Sequence, residues 1–437
     1  MILRFLGAAS EVGRSCILLE SKGTKIMLDC GVKLGSNTEH PQIEPNELRD
    51  IDGVVLSHAH LDHCGYLPHI YSRGWEGNTY AMKPTNELSN VLISDYIRIS
   101  NPTQVTKDGL EKMAKHTKSV EYFKEFKIKD LTIKLVPAGH ILGSAMIHVS
   151  DATSQSVLYT GDVNVRETKL LDAAYTENLA ATTLITESTY GADCDSFQPE
   201  KITAGEMARS IKETVDVGGK VIIPSFAVGR AQEVLLLLDD YMRTGVMPKV
   251  PIYMDGMINK AMRIHRHNVI YCRDELQKRI LMSEDDPFKS ANFFPVTTKQ
   301  MRNKIISGDE PSIIVTTSGM LTGGPVIQYI SRLGKDDKNK MLFVGYQAQG
   351  TLGRQMEEGS KEIEIDHKKI SVNMKIEKYH LSAHADRPQL NKLISKVRDL
   401  HSIFIVHGEE RKSKELHESV KDEYDSHVPK LGEKFTL

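Results

Sequence analysis

Cysteine is scarce in this chain and never paired in sequence. Cys16, Cys30, Cys64, Cys194 and Cys272 are odd in number, scattered, and form no Cys-x-x-Cys. That argues against a disulfide framework and against a thiolate metal site, and it reads as reduced thiols in a cytoplasmic protein. Long apolar runs are also missing. The longest aliphatic stretch, Val234 to Leu238, falls far short of the ~20 residues that cross a bilayer, so no membrane partner is expected. Met1-Ile2-Leu3-Arg4-Phe5 has no charged segment followed by an apolar one, so no secretory leader is expected. No internal repeat, low-complexity tract or long linker interrupts the 437 residues, a length that suggests two domains. Net charge is close to nil, −2, so the chain as a whole has no pull on nucleic acid.

Charge is nevertheless uneven. Residues 201–375 hold 26 Lys+Arg against 21 Asp+Glu, a net +5, which leaves −7 for the remainder. A positive part beside an acidic one could hold a polyanion, although ordinary scatter gives the same excess. Eight lysines between Lys107 and Lys134 form a second cluster that reads equally well as a solvated helix face.

The densest chemical signal is Ser57-His58-Ala59-His60-Leu61-Asp62-His63. Three imidazoles and a carboxylate in H-x-H-x-D-H spacing are ligands suited to Zn²⁺. The apolar Val54-Val55-Leu56 before them reads as a buried strand, and Asp62 to Gly65 as a turn leading into a helix. The same pattern of strand, small residue and ligand recurs. His140 follows Gly139, Asp162 follows Gly161, and His407 ends the strand 402–406 just before Gly408. Asp29, at the end of the strand 25–28, reads as an outer group that orients a ligand. The strand 183–186 delivers Glu187, and His384 lies in a loop before a helix at about 388–398. Residues 432–437 read as a terminal strand that could serve an interface.

From about 200 to 375 the texture changes to helices alternating with very apolar strands, the signature of a parallel sheet. Three of these strands run into glycine-rich loops at 225–230, 317–325 and 346–354. Loops at the carboxyl ends of parallel strands are where open α/β sheets bind anions. Ser225, Arg230, Ser318, Gly319, Gly323, Gly324, Gln347, Thr351 and Arg354 are therefore candidate phosphate contacts. Tight turns alone also demand glycine.

The ligands fill two sites. His58, His60 and His140 take one ion, Asp62, His63 and His407 the other, and Asp162 bridges them. Two zinc ions about 3.5–4 Å apart can share a hydroxide and clamp both oxygens of a displacement, which is hydrolytic equipment.

These residues resemble the successive motifs of the metallo-β-lactamase superfamily: Asp29, the His58 to His63 loop, His140 and Asp162. Glu187, His384 and His407 are similar to the three further motifs of its β-CASP branch, as are the segments Phe226 to Glu233 and Ser382 to Asp386. The resemblance implies an αββα metallo-β-lactamase sandwich interrupted by an inserted α/β β-CASP domain. The expected bounds are 1–197 and 376–437 for the sandwich and 198–375 for the insertion. It further implies a ribonuclease of RNA processing or decay, acting as an endonuclease, a 5′-3′ exonuclease or both. Histidine at position 407 favours RNA over DNA within the branch. The chain is similar to the cleavage-and-polyadenylation-factor-like ribonucleases of prokaryotes, especially archaeal ones, and is expected to lack their KH module and the added C-terminal domain of ribonuclease J. Single-stranded RNA is expected between the domains, with Ser382 joining the RNA contacts. A homodimer through the C-terminal segment is a further expectation.

Asp62, Glu187 and His384 are the expected catalytic group. Expulsion of a sugar alkoxide needs a proton, and His384 can give it if Glu187 keeps it protonated. The competing roles for His384 are a helix cap at Pro388 and a seventh metal ligand. Two rival functions remain: a small-molecule metallohydrolase such as a thioesterase or lactamase, and a non-catalytic RNA-binding subunit of a processing complex.

Overall fold

The computed structural model describes residues 1–35, 38–44, 46–283, 285–365 and 367–437. The chain forms two compact units. The first comprises Met1–Glu167, Leu171–Ser196 and Ala383–Leu437, and the second Thr168–Leu170 and Phe197–Ser382.

In the first unit, two seven-stranded sheets each bury an outer face against helices. One sheet runs in the order Lys434–Thr436, Ile2–Phe5, Ile17–Ser21, Thr24–Leu28, Gly53–Val55, Asn78–Met82 and Thr117–Val120. Its Met27, Val54 and Ala81 pack with Leu67, Ile70, Tyr71, Ile93 and Met113, from helices that follow the strands. The other sheet runs Asp425–His427, Ser402–Val406, Thr183–Glu187, Ser156–Tyr159, Ala145–Ser150, Leu131–Pro137 and Glu125–Ile128. Its Leu158, Leu184, Ile403 and Ile405 pack with Leu390, Leu393, Ile394 and Leu416. Between the sheets, Phe5 meets Phe404 at 5.3 Å between ring centroids, and Phe435 closes on both. Strands that alternate buried and half-buried residues, such as Ile17–Ser21, have the period-2 pattern that lets a sheet carry two dissimilar faces. This is the αββα metallo-β-lactamase sandwich.

The second unit is built on a six-stranded sheet in the order Phe293–Val296, Ile252–Asp255, Ser312–Thr316, Lys220–Pro224, Lys340–Phe343 and Lys375–Lys378, parallel throughout. Lys220–Pro224 and Ser312–Thr316 are buried along their whole length, as strands covered on both faces must be. The unit extends to Ser382, past the expected return at 376. The reason is that Lys375–Lys378 pairs with Lys340–Phe343 as the last strand of this sheet, and Lys340 Nζ fixes it through Glu377 Oε1 at 2.7 Å. Among the described residues, no helix is long and apolar enough to cross a membrane.

Candidate metal centre

All residues of the centre belong to the first unit, and strand ends deliver them. Gly53–Val55 leads to His58, the turn between Leu131–Pro137 and Ala145–Ser150 carries His140, Ser156–Tyr159 leads to Asp162, Thr183–Glu187 ends on Glu187, and Ser402–Val406 leads to His407. The helix after the first of these begins at Leu61, so Asp62 and His63 lie in its first turn rather than in a turn before it. His140 is held by Ser144 Oγ, which accepts from the backbone N–H of His140 at 3.1 Å and of Ile141 at 3.2 Å. Asp29 and His407 have left-handed backbones, φ 62° and 49°. Asp and His adopt this uncommon conformation more readily than most non-glycine residues, and it concentrates at functional sites. Gly31 sits against this loop so closely that a Cβ there would lie 1.8 Å from the Asp62 carbonyl oxygen. Gly31→Ala is expected to destabilise the fold by about 1–3 kcal/mol or more, the usual cost of overpacking, read as a lowered denaturation midpoint together with reduced bound metal.

Asp162 is the hub. Its Oδ2 is 3.5 Å from His58 Nε2 and 3.5 Å from His140 Nε2, while His60 Nδ1 lies 3.0 Å from His140 Nε2. Its Oδ1 is 3.3 Å from His63 Nε2 and 3.2 Å from His407 Nδ1, and His407 Nε2 is 3.3 Å from Asp62 Oδ2. One donor atom from each of His58, His60, His140 and Asp162 falls within a 4.8 Å sphere of mutual distance, as do those of Asp62, His63, Asp162 and His407. A third such group is Asp162, Glu187 and His384.

A second layer of contacts aims these donors. Asp29 Oδ2 accepts from His63 Nδ1–H at 2.7 Å, from Ser57 Oγ at 2.6 Å and from Tyr159 Oη at 2.8 Å, and Oδ1 accepts from Ser57 N–H at 2.7 Å. His140 Nδ1–H donates to the Ala383 carbonyl at 2.8 Å. Fixing one ring nitrogen as a donor leaves the other as a lone-pair ligand. Ser57 and Tyr159 were not singled out from the sequence. Ser57 is adjacent to His58, but Tyr159 reaches Asp29 only through pairing of distant segments.

The chemistry of this donor set fits metal ions. His58 Nε2 and Asp162 Oδ1 are buried and make no hydrogen bond among the described residues, an arrangement that costs free energy unless something else occupies the pocket. Burial, aided by neighbouring imidazoles, pushes the pKa of His58 and of His140 well down, so both are neutral. Burial opposes charge on His63 and His407 as well, but Asp162 and its neighbouring carboxylates overcome it and raise both. Asp62 and Asp162 stay ionised despite burial because those imidazoles face them. Five imidazoles and two carboxylates, with two orphaned atoms, are a donor set that cations can take by displacing the protons His63 and His407 otherwise hold.

Beside the cluster stands a distinct pair. His384 Nδ1–H donates to both Glu187 oxygens at 2.9 Å, and its Nε2 lies 4.0 Å from Asp162 Oδ2. Glu187 is fully buried and is fixed by Val163 N–H at 2.7 Å. Burial disfavours the imidazolium, but Glu187 and then Asp162 outweigh it, and the His384 pKa is pushed up to about 9. The His384 side chain is 17% exposed and that of Asp62 30%, and with the half-buried His60 they face solvent. Asp386, not His384, caps the helix Arg387–Lys396, its side chain accepting from Gln389 N–H at 3.2 Å.

In the second unit the three glycine loops converge. Gly319 lies against Ser225 and Phe226, Gly353 N–H donates to the Met320 carbonyl at 3.2 Å, and Gln347 Nε2 donates to the Gly319 carbonyl at 3.0 Å. Ser318 Oγ accepts from Thr322 N–H at 2.9 Å and donates to the Gly323 carbonyl at 3.1 Å, with Gly324 packed on Thr317. Thr351 Oγ1 caps the helix Leu352–Glu357 by accepting from Arg354 N–H at 3.2 Å. Gln347 is 2% exposed and its amide hydrogens go to the Gly319 and Gly345 carbonyls, so it staples the loops together. Ser225 is likewise buried. Arg230 is 6% exposed, whereas the Arg354 side chain is 37% exposed and pairs with Glu358 Oε1 at 2.7 Å. Ser382 is half-buried at the end of the second unit.

Comparison with known proteins places this geometry in a family. Residues 18–189 match the metallo-beta-lactamase superfamily domain, 231–356 the Beta-Casp domain, and 369–429 the Zn-dependent metallo-hydrolase RNA specificity domain. The chain is 39% identical to transcription termination factor FttA of Methanocaldococcus jannaschii over 95% of this chain and 68% of that protein. It is 37% identical to FttA of Methanosarcina mazei over 95% and 68%, and 37% identical to that of Pyrococcus horikoshii over 95% and 67%. A crystal structure of a protein of unknown function from Enterococcus faecalis V583 shares the fold across 100% of this chain and 99% of that one, with a TM-score of 0.62 at 13% identity. The chain belongs to the β-CASP branch of the metallo-β-lactamase superfamily, in the family that contains the archaeal FttA proteins.

Proposed function

We propose that this chain is a zinc-dependent ribonuclease that hydrolyses RNA phosphodiester bonds at the Asp162 cluster. The observation that carries the reading is two sets of metal-ligand donors sharing Asp162, with a half-buried, carboxylate-held imidazole beside them. His58, His60 and His140 would hold one Zn²⁺, Asp62, His63 and His407 the other, and Asp162 both. When bound, the pair supplies a water activated near neutral pH and positive charge at the scissile phosphate. Asp29 keeps the His63 proton on Nδ1, and the Ala383 carbonyl does the same for His140. Asp62, a ligand open to solvent, orients the attacking water. His384, held as an imidazolium by Glu187, gives its proton to the departing sugar oxygen. RNA as substrate is supported by the match to an RNA specificity domain and by relatives named as transcription termination factors.

Incubating the purified protein with 5′-labelled and 3′-labelled RNA tests the reading. A ladder of fragments marks an endonuclease, and mononucleotides released from the 5′ end mark an exonuclease. Intact RNA in the presence of zinc-loaded protein would leave a non-catalytic RNA-binding subunit instead.

The loops of the second unit are proposed to hold RNA phosphates through Arg354, the Ser318 to Gly324 turn and Thr351. Arg354→Ala is expected to raise KM for RNA several-fold, leave kcat unchanged, and reduce the salt slope of binding by about 1. Filter binding across a salt series checks this, and an unchanged slope would make the loop structural. Arg230→Ala, at a buried position, is expected to lower stability instead.

A further inference from the structure

The second unit carries a cavity of about 530 Å³ at the edge of its sheet opposite the glycine loops. Lys249 and Asn292 on its wall precede the strands Ile252–Asp255 and Phe293–Val296, whereas the glycine loops follow strand carboxyl ends. The helices Arg230–Arg243 and Ile258–His267 contribute Asp239, Arg243 and Arg266 from their carboxyl-terminal halves. Every acid on the wall is answered by an arginine. Arg279 Nε pairs with Asp285 at 2.5 Å and its Nη2 with Asp239 at 3.3 Å, Arg266 pairs with Asp286, and Arg243 lies 3.8 Å from Asp285. Two cations are left over. The ammonium groups of Lys249 and Lys289 make no ion pair or hydrogen bond among the described residues. Backbone bonds hold the segment between them in place, with Ile252 N–H donating to the Asn292 carbonyl at 2.9 Å and Lys289 N–H to the Asp286 carbonyl at 2.9 Å.

We propose that this cavity binds a phosphate-bearing ligand of nucleotide size. The interlocked arginines and aspartates neutralise one another and stiffen the wall, so the uncompensated charge is that of the two lysines. Both lysines are exposed residues on a wall that is otherwise charge-balanced, so an anion meets a net positive surface there. A phosphate offers several acceptor oxygens at once, to the two ammonium groups and to the Asn292 amide, and charge-assisted bonds of this kind are the strong ones. The volume exceeds what a bare phosphate fills and lies within the range of small-ligand sites. The phosphate can belong to a free nucleotide or to the terminal nucleotide of an RNA. The site does not depend on what the metal cluster cuts.

Calorimetric titration of the full chain with adenosine 5′-monophosphate, and with adenosine lacking the phosphate, tests the proposal. The nucleotide should bind roughly ten-fold tighter than the nucleoside or better, and the double variant Lys249→Gln/Lys289→Gln should lose about ten-fold of that affinity or more. The exposed control Lys361→Gln should bind as the parent does. Because the nucleotide could also reach the metal cluster, binding that is equal in parent and double variant overturns the proposal, as does no binding at all. A 5′-phosphorylated oligoribonucleotide that displaces the nucleotide from the parent assigns the site to RNA ends, and failure to displace it assigns it to free nucleotides.

Discussion

His384→Ala should keep its zinc and its grip on RNA but lose roughly 10²- to 10⁴-fold in cleavage rate, the usual worth of a placed acid. The loss should be far smaller on a nitrophenyl phosphodiester, whose leaving group departs without a proton. The geometry behind this is specific: Nδ1–H is spent on Glu187, so Nε2 is the nitrogen that can donate to substrate. Activity that needs the imidazolium falls as pH rises through the His384 pKa. Glu187→Gln removes the main influence raising that pKa, so the alkaline limb of the rate profile should move to lower pH. Equal losses on both substrates, or zinc lost along with activity, would take the acid role from His384.

Asp162→Ala is the other large effect. The parent should hold close to two zinc ions per chain by elemental analysis, and the variant should fall short at both positions, because each Asp162 oxygen faces a different set of imidazoles. Cleavage should drop by more than the about 10–100-fold that loss of an outer ligand partner costs. His407→Ala should remove one ion and leave the His58, His60 and His140 position filled. A parent that binds a single ion, indifferent to His407→Ala, is incompatible with a shared carboxylate.

The sequence speaks clearly where chemistry is local. His58, His60, Asp62 and His63 are close neighbours in sequence, and His140, Asp162 and His407 follow short apolar strands, so their residue types and positions read directly. The alternation of apolar strands and helices in the inserted part is equally direct, because period and composition encode it. What could not be read depends on pairing at a distance. Tyr159 reaches Asp29 across 130 residues, and Val163 N–H meets Glu187 only once two parallel strands are side by side. Gln347 looks like a loop donor until Gly319 is packed beneath it. Lys375–Lys378 looks like a return to the first domain until it pairs with Lys340–Phe343.

The pairing of Lys434–Thr436 with Ile2–Arg4 has a consequence for self-association. One rim of the C-terminal strand is already spent on its own chain, and Phe435 is committed to the aromatic contact with Phe5, Phe404 and His427. A second copy that used this strand would therefore add to its outer rim, and a homodimer built there would extend the sheet across both chains. Removing residues 432–437 would uncover the backbone of Ile2–Phe5 as an unpaired template. Unguarded sheet borders of that kind recruit other chains, so the shortened protein should lose any ordered dimer and gain a tendency to aggregate.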